Sequence, residues 1–238
     1  MDKHSTLKHL GYILFLFLIL LIGSVAIGVF VQGNFLIKEF DGFLYQLISN
    51  GPHPTWLNQI IWPFNINFLK FGDMPSYYYP MLLLFLVLVF IYNRSMTTWF
   101  IFCIILATFT TGIITTLDWH FVFRHRPFEM LPSNLDQTSR DMWKAWSSYP
   151  SGHSRETALY VAIASSFLPW LKWPGLLFCL FIGFSRIYIG AHFPTDVIAG
   201  LLIGLISAKA NLMFVREIQI LLSGRRGGNH GNKPKEQA

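Results

Sequence analysis

The chain has 238 residues, of which 53% are hydrophobic and 13% are charged, whereas a typical soluble domain has about 25% charged residues. Its apolar and aromatic content, with 23 Phe, 8 Trp and 9 Tyr, excludes a disordered chain, a collagen-like chain and a coiled coil, and disfavours an ordinary soluble globule. The net charge of +6 is typical of a membrane protein with basic cytoplasmic loops, and no basic stripe of the kind that binds nucleic acid is visible.

The first predicted membrane span covers residues 10–31 and contains no charged residue. About 20 apolar residues are needed to cross a bilayer. A short flank with Lys3 and Lys8 precedes the span. A cleaved signal peptide is the alternative, but its apolar core normally has only about 7–15 residues. We therefore predict a retained membrane anchor.

The segment over residues 40–71 repeats apolar residues at helical spacing in two places. This pattern predicts two short amphipathic helices in the membrane interface, and a loop packed on the helix bundle is the alternative. The first pattern comprises Phe40, Phe43, Leu44, Leu47 and Ile48, opposite Asp41, Gln46 and Ser49, and the second comprises Trp56, Leu57, Ile60 and Ile61.

Five more apolar spans follow, at about residues 77–92, 97–117, 154–171, 173–189 and 195–214. The predicted fold class is therefore all-α: a polytopic membrane protein with six transmembrane helices in one domain over residues 1–222. A polar, glycine-rich tail over residues 223–238 is predicted to be disordered. Cys103 and Cys179 lie inside apolar runs and are expected to be buried hydrophobic residues, not a disulfide or a metal site.

The distribution of lysine and arginine predicts an integral protein of the plasma (inner) membrane with both termini in the cytoplasm. The raw difference between the two sides is small. The excess of lysine and arginine on the cytoplasmic side becomes clear when some outer arginines are not counted, because they are assigned to the functional site. This topology places the active site at the outer or periplasmic face.

Polar residues gather at the ends of the predicted spans. Because successive spans alternate in direction, all of these ends lie on one side of the membrane. Charged groups beside a span are costly, so such a convergence indicates a functional site, although each residue alone would be interpreted as an interface anchor, a turn or a structural histidine. The three clusters are Phe123-Arg124-His125-Arg126-Pro127, then Tyr149-Pro150-Ser151-Gly152-His153-Ser154, then Ser185-Arg186 with His192 and Asp196.

The residue types in these clusters suit a phosphate group. Arg126 and Arg186 carry planar guanidinium groups that match phosphate oxygens. Ser151 and the backbone amide of Gly152 lie at the start of a predicted helix, where free amides favour an anion.

His192 and Asp196 are four residues apart, and Pro194 between them favours the first turn of a helix. We predict that the Asp196 carboxylate bonds one ring nitrogen of His192 and leaves the other nitrogen free to attack, with His153 as general acid. A metal site of two histidines and Asp196 is the alternative. The two nearby arginines would repel a divalent cation, so no metal is expected.

These residues resemble the type 2 phosphatidate phosphatase superfamily of membrane lipid phosphatases, which shares its pocket with vanadate-dependent haloperoxidases. The family pattern is a Lys separated by six residues from Arg-Pro, then Pro-Ser-Gly-His, then Ser-Arg with five residues before His and three more before Asp. The second and third parts match in full. The family's lysine falls at Trp119 here, with Arg124 or His120 as the candidate substitute.

The resemblance implies a phosphatase for a lipid phosphate or diphosphate, such as polyprenyl diphosphate, phosphatidate, phosphatidylglycerol phosphate or a lipid A phosphate. It implies that His192 attacks phosphorus and that His153 protonates the leaving oxygen, without a cofactor. The expected partners are the lipid substrate and membrane lipids, while the oligomeric state is left open. The phosphate-binding residues it implies are Arg124, Arg126, Arg186, Ser151 and Gly152.

Three other functions are considered. A vanadate-dependent haloperoxidase shares this pocket pattern, but those enzymes are soluble and the six apolar spans count against it. A phosphotransferase would use the same phosphohistidine and pass the phosphoryl group to another lipid. A non-catalytic transporter or scaffold belongs to a different class, and the position of the polar groups at span ends disfavours it. The loop over residues 128–149 is predicted to select the lipid.

Overall fold

The computed structural model describes residues 3–51, 53–64, 77–133, 140–141, 144 and 146–228, and all regular structure within these ranges is helical. The predicted all-α class is therefore confirmed. The helices are α1 (Lys3–Gly33), α2 (Phe35–Ser49), α3 (Thr55–Ile61), α4 (Tyr78–Tyr92), α5 (Thr97–Phe121), α6 (Pro127–Met130), α7 (Gly152–Phe167), α8 (Lys172–Tyr188) and α9 (Pro194–Gly228). Short 3-10 turns follow α3 and precede α5 and α8.

Helices occupy all six positions at which spans were predicted, but they differ in length. Four segments are long and apolar enough to cross a membrane: Gly11–Gly33, Arg94–Phe121, Pro169–Tyr188 and Pro194–Ser223. Helices α4 and α7 have 15 and 16 residues and fall short of the length of about 20 that a straight span needs. The last helix continues to Gly228, beyond the predicted domain boundary, and residues 229–238 of the predicted tail lie outside the described residues.

Helix α7 is the central helix of the bundle, packed against α4, α5, α8 and α9. All of its residues from His153 to Val161 are buried. Arg155 and Glu156 pair with each other inside the bundle, with Arg155 Nη2 lying 2.8 Å from Glu156 Oε1. The charged residues that make this helix less apolar than its neighbours therefore face protein, not lipid.

Glycines on α9 allow it to approach α7 closely. A Cβ atom at Gly200 would lie 2.5 Å from the carbonyl oxygen of Ser151, and one at Gly204 would lie 2.2 Å from that of Arg155. Small residues at such crossings let two helix backbones come together in a membrane. This contact joins the amino-terminal parts of α7 and α9, which carry two of the predicted clusters.

The outer surface of the bundle is apolar, since large hydrophobic side chains are exposed along α1, α4, α5 and α8. Helix α2 begins after Asn34, whose side chain accepts a hydrogen bond from Ile37 N at 3.1 Å. The predicted helices at residues 40–48 and 56–61 are confirmed as α2 and α3. On α2, however, Phe43 and Leu47 are exposed while Asp41, Tyr45 and Ser49 are buried. The polar face of this amphipathic helix therefore points into the protein, and its apolar face lies on the outer surface of the bundle.

Candidate active site

The three predicted clusters meet at one end of the bundle, around a cavity of about 60 Å³. The end of α5, the start of α7, the end of α8 and the start of α9 all lie at this end, because each cluster adjoins one of these termini. The lining residues are Trp119, Arg126, Trp146, Ser147, Pro150, Gly152, His153, Arg186 and His192. The predicted convergence of the clusters is therefore present in the fold.

The cavity has a charged floor and an aromatic mouth. Arg126, Arg186, His153 and His192 are only 7%, 1%, 8% and 3% exposed. By contrast, Trp146 is 37% exposed, and Trp119 and Gly152 are half-buried. Because a water-sized group needs about 10–15 Å³, the cavity holds roughly four to six heavy atoms. That is the size of one phosphoryl group.

The loop between α8 and α9 positions His192. Gly190 has a φ of 88°, a left-handed conformation that favours glycine. A Cβ atom there would lie 2.7 Å from the hydroxyl of Tyr45. After this turn, the amides of Ala191 and His192 donate to the carbonyl oxygen of Arg186 at 3.0 and 3.3 Å. The loop therefore closes back on the end of α8 and points His192 into the cavity.

The hydrogen bonds of His192 define its tautomer. Nδ1 lies 2.8 Å from the carbonyl oxygen of Ser148, which can only accept, so Nδ1 carries the hydrogen. Nε2 therefore carries the lone pair, and it lies 3.2 Å from Arg126 Nη1, which donates a hydrogen bond to it at the cavity. Burial, together with the charges of Arg126, Arg186 and His153, holds the pKa of His192 well below 6.5 despite the bond to Ser148. His192 is therefore neutral and has a nucleophilic nitrogen.

The structure corrects the predicted bond between Asp196 and the imidazole of His192. The carboxylate of Asp196 instead accepts hydrogen bonds from Arg124 Nη1 at 2.5 Å, from Ser148 Oγ at 2.6 Å and from Phe193 N at 3.0 Å. The reason is the position of Asp196 in the first turn of α9, where its side chain caps the free amide of Phe193 and meets Arg124. Asp196 thus supports His192 through Ser148.

Arg124, which the sequence predicts to bind phosphate, does not line the cavity. Its guanidinium lies between Asp196 and Asp41, with Nη2 2.6 Å from Asp41 Oδ2, and its Cζ atom stacks 4.3 Å from the centre of the Phe193 ring. Burial would lower the pKa of Arg124, but the two carboxylates raise it above its usual value. The physical reason is charge: two buried carboxylates hold this arginine away from the cavity.

Asp41 is the residue that sequence reasoning missed. It is fully buried on α2 and accepts hydrogen bonds from Thr195 N at 3.0 Å and from the hydroxyl of Thr195, in addition to Arg124. It therefore caps the start of α9 from another helix. The sequence does contain one indication: Asp41 is a carboxylate on a helix predicted to lie beside the membrane, where a charge is costly unless it is paired.

Arg126 lies flat on the floor of the cavity beside His192. It donates to the carbonyl oxygens of Trp146 (Nε, 3.2 Å), Ala191 (Nη1, 3.1 Å) and Ser147 (Nη2, 3.3 Å). These bonds come from two separate loops and fix the plane of the guanidinium. Arg186, a member of the third cluster at the end of α8, also lines the cavity.

Ser151 caps α7 and does not line the cavity, so its predicted contact with phosphate stays a prediction. Its hydroxyl oxygen accepts from Ser154 N at 3.5 Å and from Ser154 Oγ at 3.0 Å, because a serine before the first helical turn satisfies the free amides there. Gly152, the next residue, does line the cavity.

His153 is placed to meet a substrate oxygen. Its ring lies between Tyr77 and Tyr78, at centroid distances of 6.3 and 6.2 Å, and Tyr78 Oη donates to its carbonyl oxygen at 3.0 Å. Its Nε2 atom is buried and has no hydrogen-bond partner within the part of the chain that the structure describes. A buried nitrogen of this kind is available to a ligand in the cavity.

Neither candidate for the missing lysine reaches the cavity. Arg124 is held by carboxylates, and His120 is exposed outside the lining. The residue at the corresponding position, Trp119, lies at the mouth with its ring centre 4.6 Å from that of Trp146. Within the loop predicted to select the lipid, Trp146 is thus part of the mouth, whereas residues 134–139, 142, 143 and 145 lie outside the described residues.

The alternative metal site is not assembled by these residues. Asp196 faces Arg124 and Ser148, away from the cavity that His153 and His192 line. Among the residues that the structure describes, no three His, Cys, Asp or Glu side chains form a group that could hold a metal ion.

Several known proteins are similar to parts of this chain. The lipid A 1-phosphatase of Rhizobium etli is 32% identical over 78 residues, which are 29% of this chain and 34% of the relative. The undecaprenyl-diphosphatase BcrC of Bacillus subtilis is 42% identical over 60 residues, or 25% and 31% of the two chains. The matched part thus spans about a third of the length of these curated relatives.

Two crystal structures share the fold over much greater lengths. The transmembrane PAP2 type phosphatidylglycerolphosphate phosphatase from Bacillus subtilis has a TM-score of 0.59 at 20% identity and covers 87% of this chain and 96% of its own. LpxE of Aquifex aeolicus has a TM-score of 0.53 at 28% identity and covers 76% and 98%. The family model described as PAP2 superfamily matches residues 96–219, more than half of the sequence, and the chain therefore belongs to the PAP2 superfamily.

Proposed function

We propose that this protein is a membrane phosphatase that removes a phosphoryl group from a lipid phosphate or diphosphate through a phosphohistidine formed on His192. One observation carries the proposal: a buried, neutral histidine presents Nε2 beside the guanidinium of Arg126 in a cavity the size of one phosphoryl group. Membership of the PAP2 superfamily, and relatives named as lipid phosphatases and diphosphatases, support the same conclusion.

In the first step, the lone pair of His192 Nε2 attacks phosphorus and the bond from phosphorus to the lipid oxygen breaks. His153 donates a proton to that oxygen, and the negative charge of the bound substrate favours the protonated form of His153. Arg126, Arg186 and the amide of Gly152 stabilise the charge on the three phosphoryl oxygens. The ring of His192 becomes positively charged, and Ser148 accepts its Nδ1 hydrogen throughout.

In the second step, water attacks the phosphorus of the phosphohistidine. His153, now neutral, takes a proton from the water, and the electron pair of the N–P bond returns to Nε2. Inorganic phosphate leaves, and both histidines return to their initial states. The reaction as proposed needs no metal ion.

The proposed placement in the membrane follows the sequence prediction of six spans. Helices α4 and α7 would complete the crossing together with the adjoining turns, and α2 would lie in the interface with its exposed apolar face toward lipid. Cytoplasmic termini put the cavity at the outer face, where a lipid headgroup enters from the membrane surface. Cysteine labelling of exposed positions in intact cells tests this orientation.

The decisive experiment measures phosphate release by the purified protein in detergent from a panel of lipid phosphates, with a chelator present. The expected result is release by the wild type and its loss in His192→Ala. His120→Ala is the matched control, since this exposed histidine lies near the mouth without lining the cavity, and it should retain activity. Full activity of His192→Ala would overturn the mechanism, and release that requires an added lipid acceptor would identify a phosphotransferase.

A further inference from the structure

A groove between α7, α8 and α9 opens on the outer surface of the bundle, away from the active site. We infer that this groove binds an anionic phospholipid of the leaflet opposite the active site, with Lys172 at its headgroup. This lipid is a bound ligand of the protein and not its substrate. The inference goes beyond the proposed function, because it concerns neither the active-site cavity nor the reaction.

The groove lies at the end of the bundle opposite the active-site cavity. Helix α8 begins at Lys172, which lines the groove, and it carries Arg186 near its other end, which lines the cavity. A rise of 1.5 Å per residue separates these two residues by about 20 Å along the helix axis. A phosphate at Lys172 is therefore too far from His192 to be the group that is transferred.

The groove has the length of an acyl chain in one leaflet, and its volume is about 400 Å³. It extends from Ser166 to Ala158 along α7 and from Lys172 to Leu180 along α8, which is about 12 Å on each helix. Half of a hydrocarbon core of about 30 Å is about 15 Å. An acyl chain that enters at the Lys172 end therefore fills the groove and points toward the middle of the bilayer.

The walls of the groove are apolar and face the membrane. Leu176, Leu180 and Leu205 line it and are exposed on the surface of the bundle. On α7, the small side chains of Ala158 and Ala162 leave space between these leucines. Water in such a space would lack the two to four polar partners that it needs. Hydrocarbon is therefore the occupant that suits these walls.

Polar side chains of the groove lie together at one end. Among the described residues that line it, Ser165, Ser166 and Lys172 come from the end of α7 and the start of α8. The hydroxyl oxygen of Ser165 is buried and has no hydrogen-bond partner within the described part of the chain. An ammonium group and nearby hydroxyl donors match the phosphate of a phospholipid.

Aromatic side chains indicate the depth of this end in the membrane. Trp170 and Trp173 lie on either side of Lys172 in the chain, and both are exposed. The Nζ atom of Lys172 lies 5.7 Å from the ring centre of Trp173, and the ring of Trp170 lies 6.2 Å from that of Tyr92. Because Trp and Tyr are enriched where the membrane meets water, Lys172 lies at the level of the lipid headgroups.

The charge of Lys172 favours an anionic headgroup over a zwitterionic one. Phosphatidylcholine carries its own ammonium group, which balances its phosphate and is repelled by the lysine. Phosphatidylglycerol has the same phosphate with an uncharged glycerol, so its negative charge is available to Lys172. A lysine near an anionic membrane surface improves binding by about fivefold.

The test counts the phospholipids bound to the purified full-length protein by native mass spectrometry. The detergent micelles contain equal amounts of phosphatidylglycerol and phosphatidylcholine with identical acyl chains. The wild type should retain phosphatidylglycerol over phosphatidylcholine by about fivefold. Because a ligand that binds the folded state stabilises it, phosphatidylglycerol should also raise the unfolding temperature by about 2–4 °C more than phosphatidylcholine does.

Three variants separate the headgroup from the acyl chain. Lys172→Gln should bring the ratio of the two lipids close to one, whereas Lys172→Arg should keep the wild-type ratio. Ala162→Phe fills the groove and should lower the retention of both lipids by about fivefold or more.

Arg94→Gln is the matched control for the loss of one positive charge. Arg94 is an exposed cation near the end of α4, and its Cζ atom lies 5.1 Å from the ring centre of Phe90, but it does not line the groove. This variant should keep the wild-type ratio of the two lipids.

Three outcomes would overturn the inference. Equal retention of the two lipids by the wild type would exclude selection of an anionic headgroup. Unchanged lipid retention in folded Ala162→Phe would exclude the groove as the binding site. Equal losses of preference in Arg94→Gln and Lys172→Gln would show an effect of overall charge and exclude the role of Lys172. Neither readout requires turnover, so the result is independent of whether the proposed phosphatase activity is found.

Discussion

The Nδ1 atom of His192 lies 2.8 Å from the carbonyl oxygen of Ser148, and the carboxylate of Asp196 lies on the other side of that serine, 2.6 Å from its hydroxyl. The orientation of the imidazole is thus set by a backbone carbonyl, and the backbone is held in turn by an acidic side chain. A histidine with a fixed Nδ1 hydrogen presents Nε2 in one direction only. Asp196 therefore acts on the reaction indirectly, as a positioning residue.

This arrangement predicts a graded loss of activity. Ser148→Ala removes the hydroxyl but keeps the carbonyl, so we expect kcat to fall by about tenfold; Asp196→Asn also weakens the contact with Arg124 and should cost about a hundredfold. Because both changes act on one chain of contacts, the double variant should be little worse than Asp196→Asn alone. Steady-state kinetics of the three variants would check this, and fully multiplicative losses would show that the two residues act independently.

The lowered pKa of His192 predicts how the reaction rate depends on pH. Attack requires a neutral imidazole, and burial together with Arg126, Arg186 and His153 keeps the pKa of His192 well below 6.5. The acid limb of kcat/KM should therefore lie below pH 6.5. Below pH 6.5, His192 becomes protonated in the unfolded chain while it stays neutral in the folded protein. The free energy of unfolding should therefore also fall as the pH drops below this value.

Arg126→Gln tests the electrostatic part of this shift. Removing one positive charge should raise the pKa of His192 and move the acid limb to higher pH, independently of the drop in rate caused by weaker phosphate binding. The substrate's own titration near pH 6 affects both proteins equally, so the difference between their profiles isolates the histidine. A wild-type limb at or above the usual histidine value would contradict the assignment of His192 as the group that must be neutral.

The pair formed by Asp41 and Arg124 predicts that α2 stabilises the site. Asp41→Asn leaves one side of a buried guanidinium without its carboxylate and weakens the cap on α9, so we expect a loss of about 3 kcal/mol in the free energy of unfolding. Glu39→Gln, an exposed carboxylate on the same helix, is the matched control and should change stability by less than about 0.5 kcal/mol. Thermal unfolding in detergent would measure both, and equal effects would show that the buried pair contributes nothing specific.

Much of the site could be predicted from the sequence because its motifs lie at helix ends. The spacing of Arg126, His153, Arg186 and His192 relative to the apolar spans was enough to bring them to one end of a bundle, and all four line the cavity. The roles of Asp196 and Arg124 could not be predicted in the same way. Their partners, Ser148 and Asp41, come from other segments, and nothing in local spacing indicates which carboxylate an arginine will meet.

The fold, like the site, has features that the sequence predicts and features that it does not. Long apolar spans were predictable from hydropathy alone, whereas α7 is short and contains Arg155 and Glu156, which local composition would place at a surface. Its central position depends on tertiary contacts that satisfy these charges. The inward orientation of Asp41 on α2 has the same origin, since a helical pattern gives two faces and only the surroundings decide which of them is buried.

The close contact between α7 and α9 gives the last prediction. Gly204→Ala would place a Cβ atom 2.2 Å from the carbonyl oxygen of Arg155, a backbone atom that cannot move without shifting α7. We expect a loss of stability of about 1–3 kcal/mol and reduced activity, because Ser151 N donates to the carbonyl oxygen of Asp196 at 3.0 Å across the same interface. Gly112→Ala on α5 is the matched control: a Cβ atom there meets nothing within 4 Å, so the higher helix propensity of alanine should leave stability unchanged or slightly raised. Thermal unfolding and phosphate release would be measured for both variants. Equal behaviour of the two would mean that α9 does not depend on this glycine to reach α7.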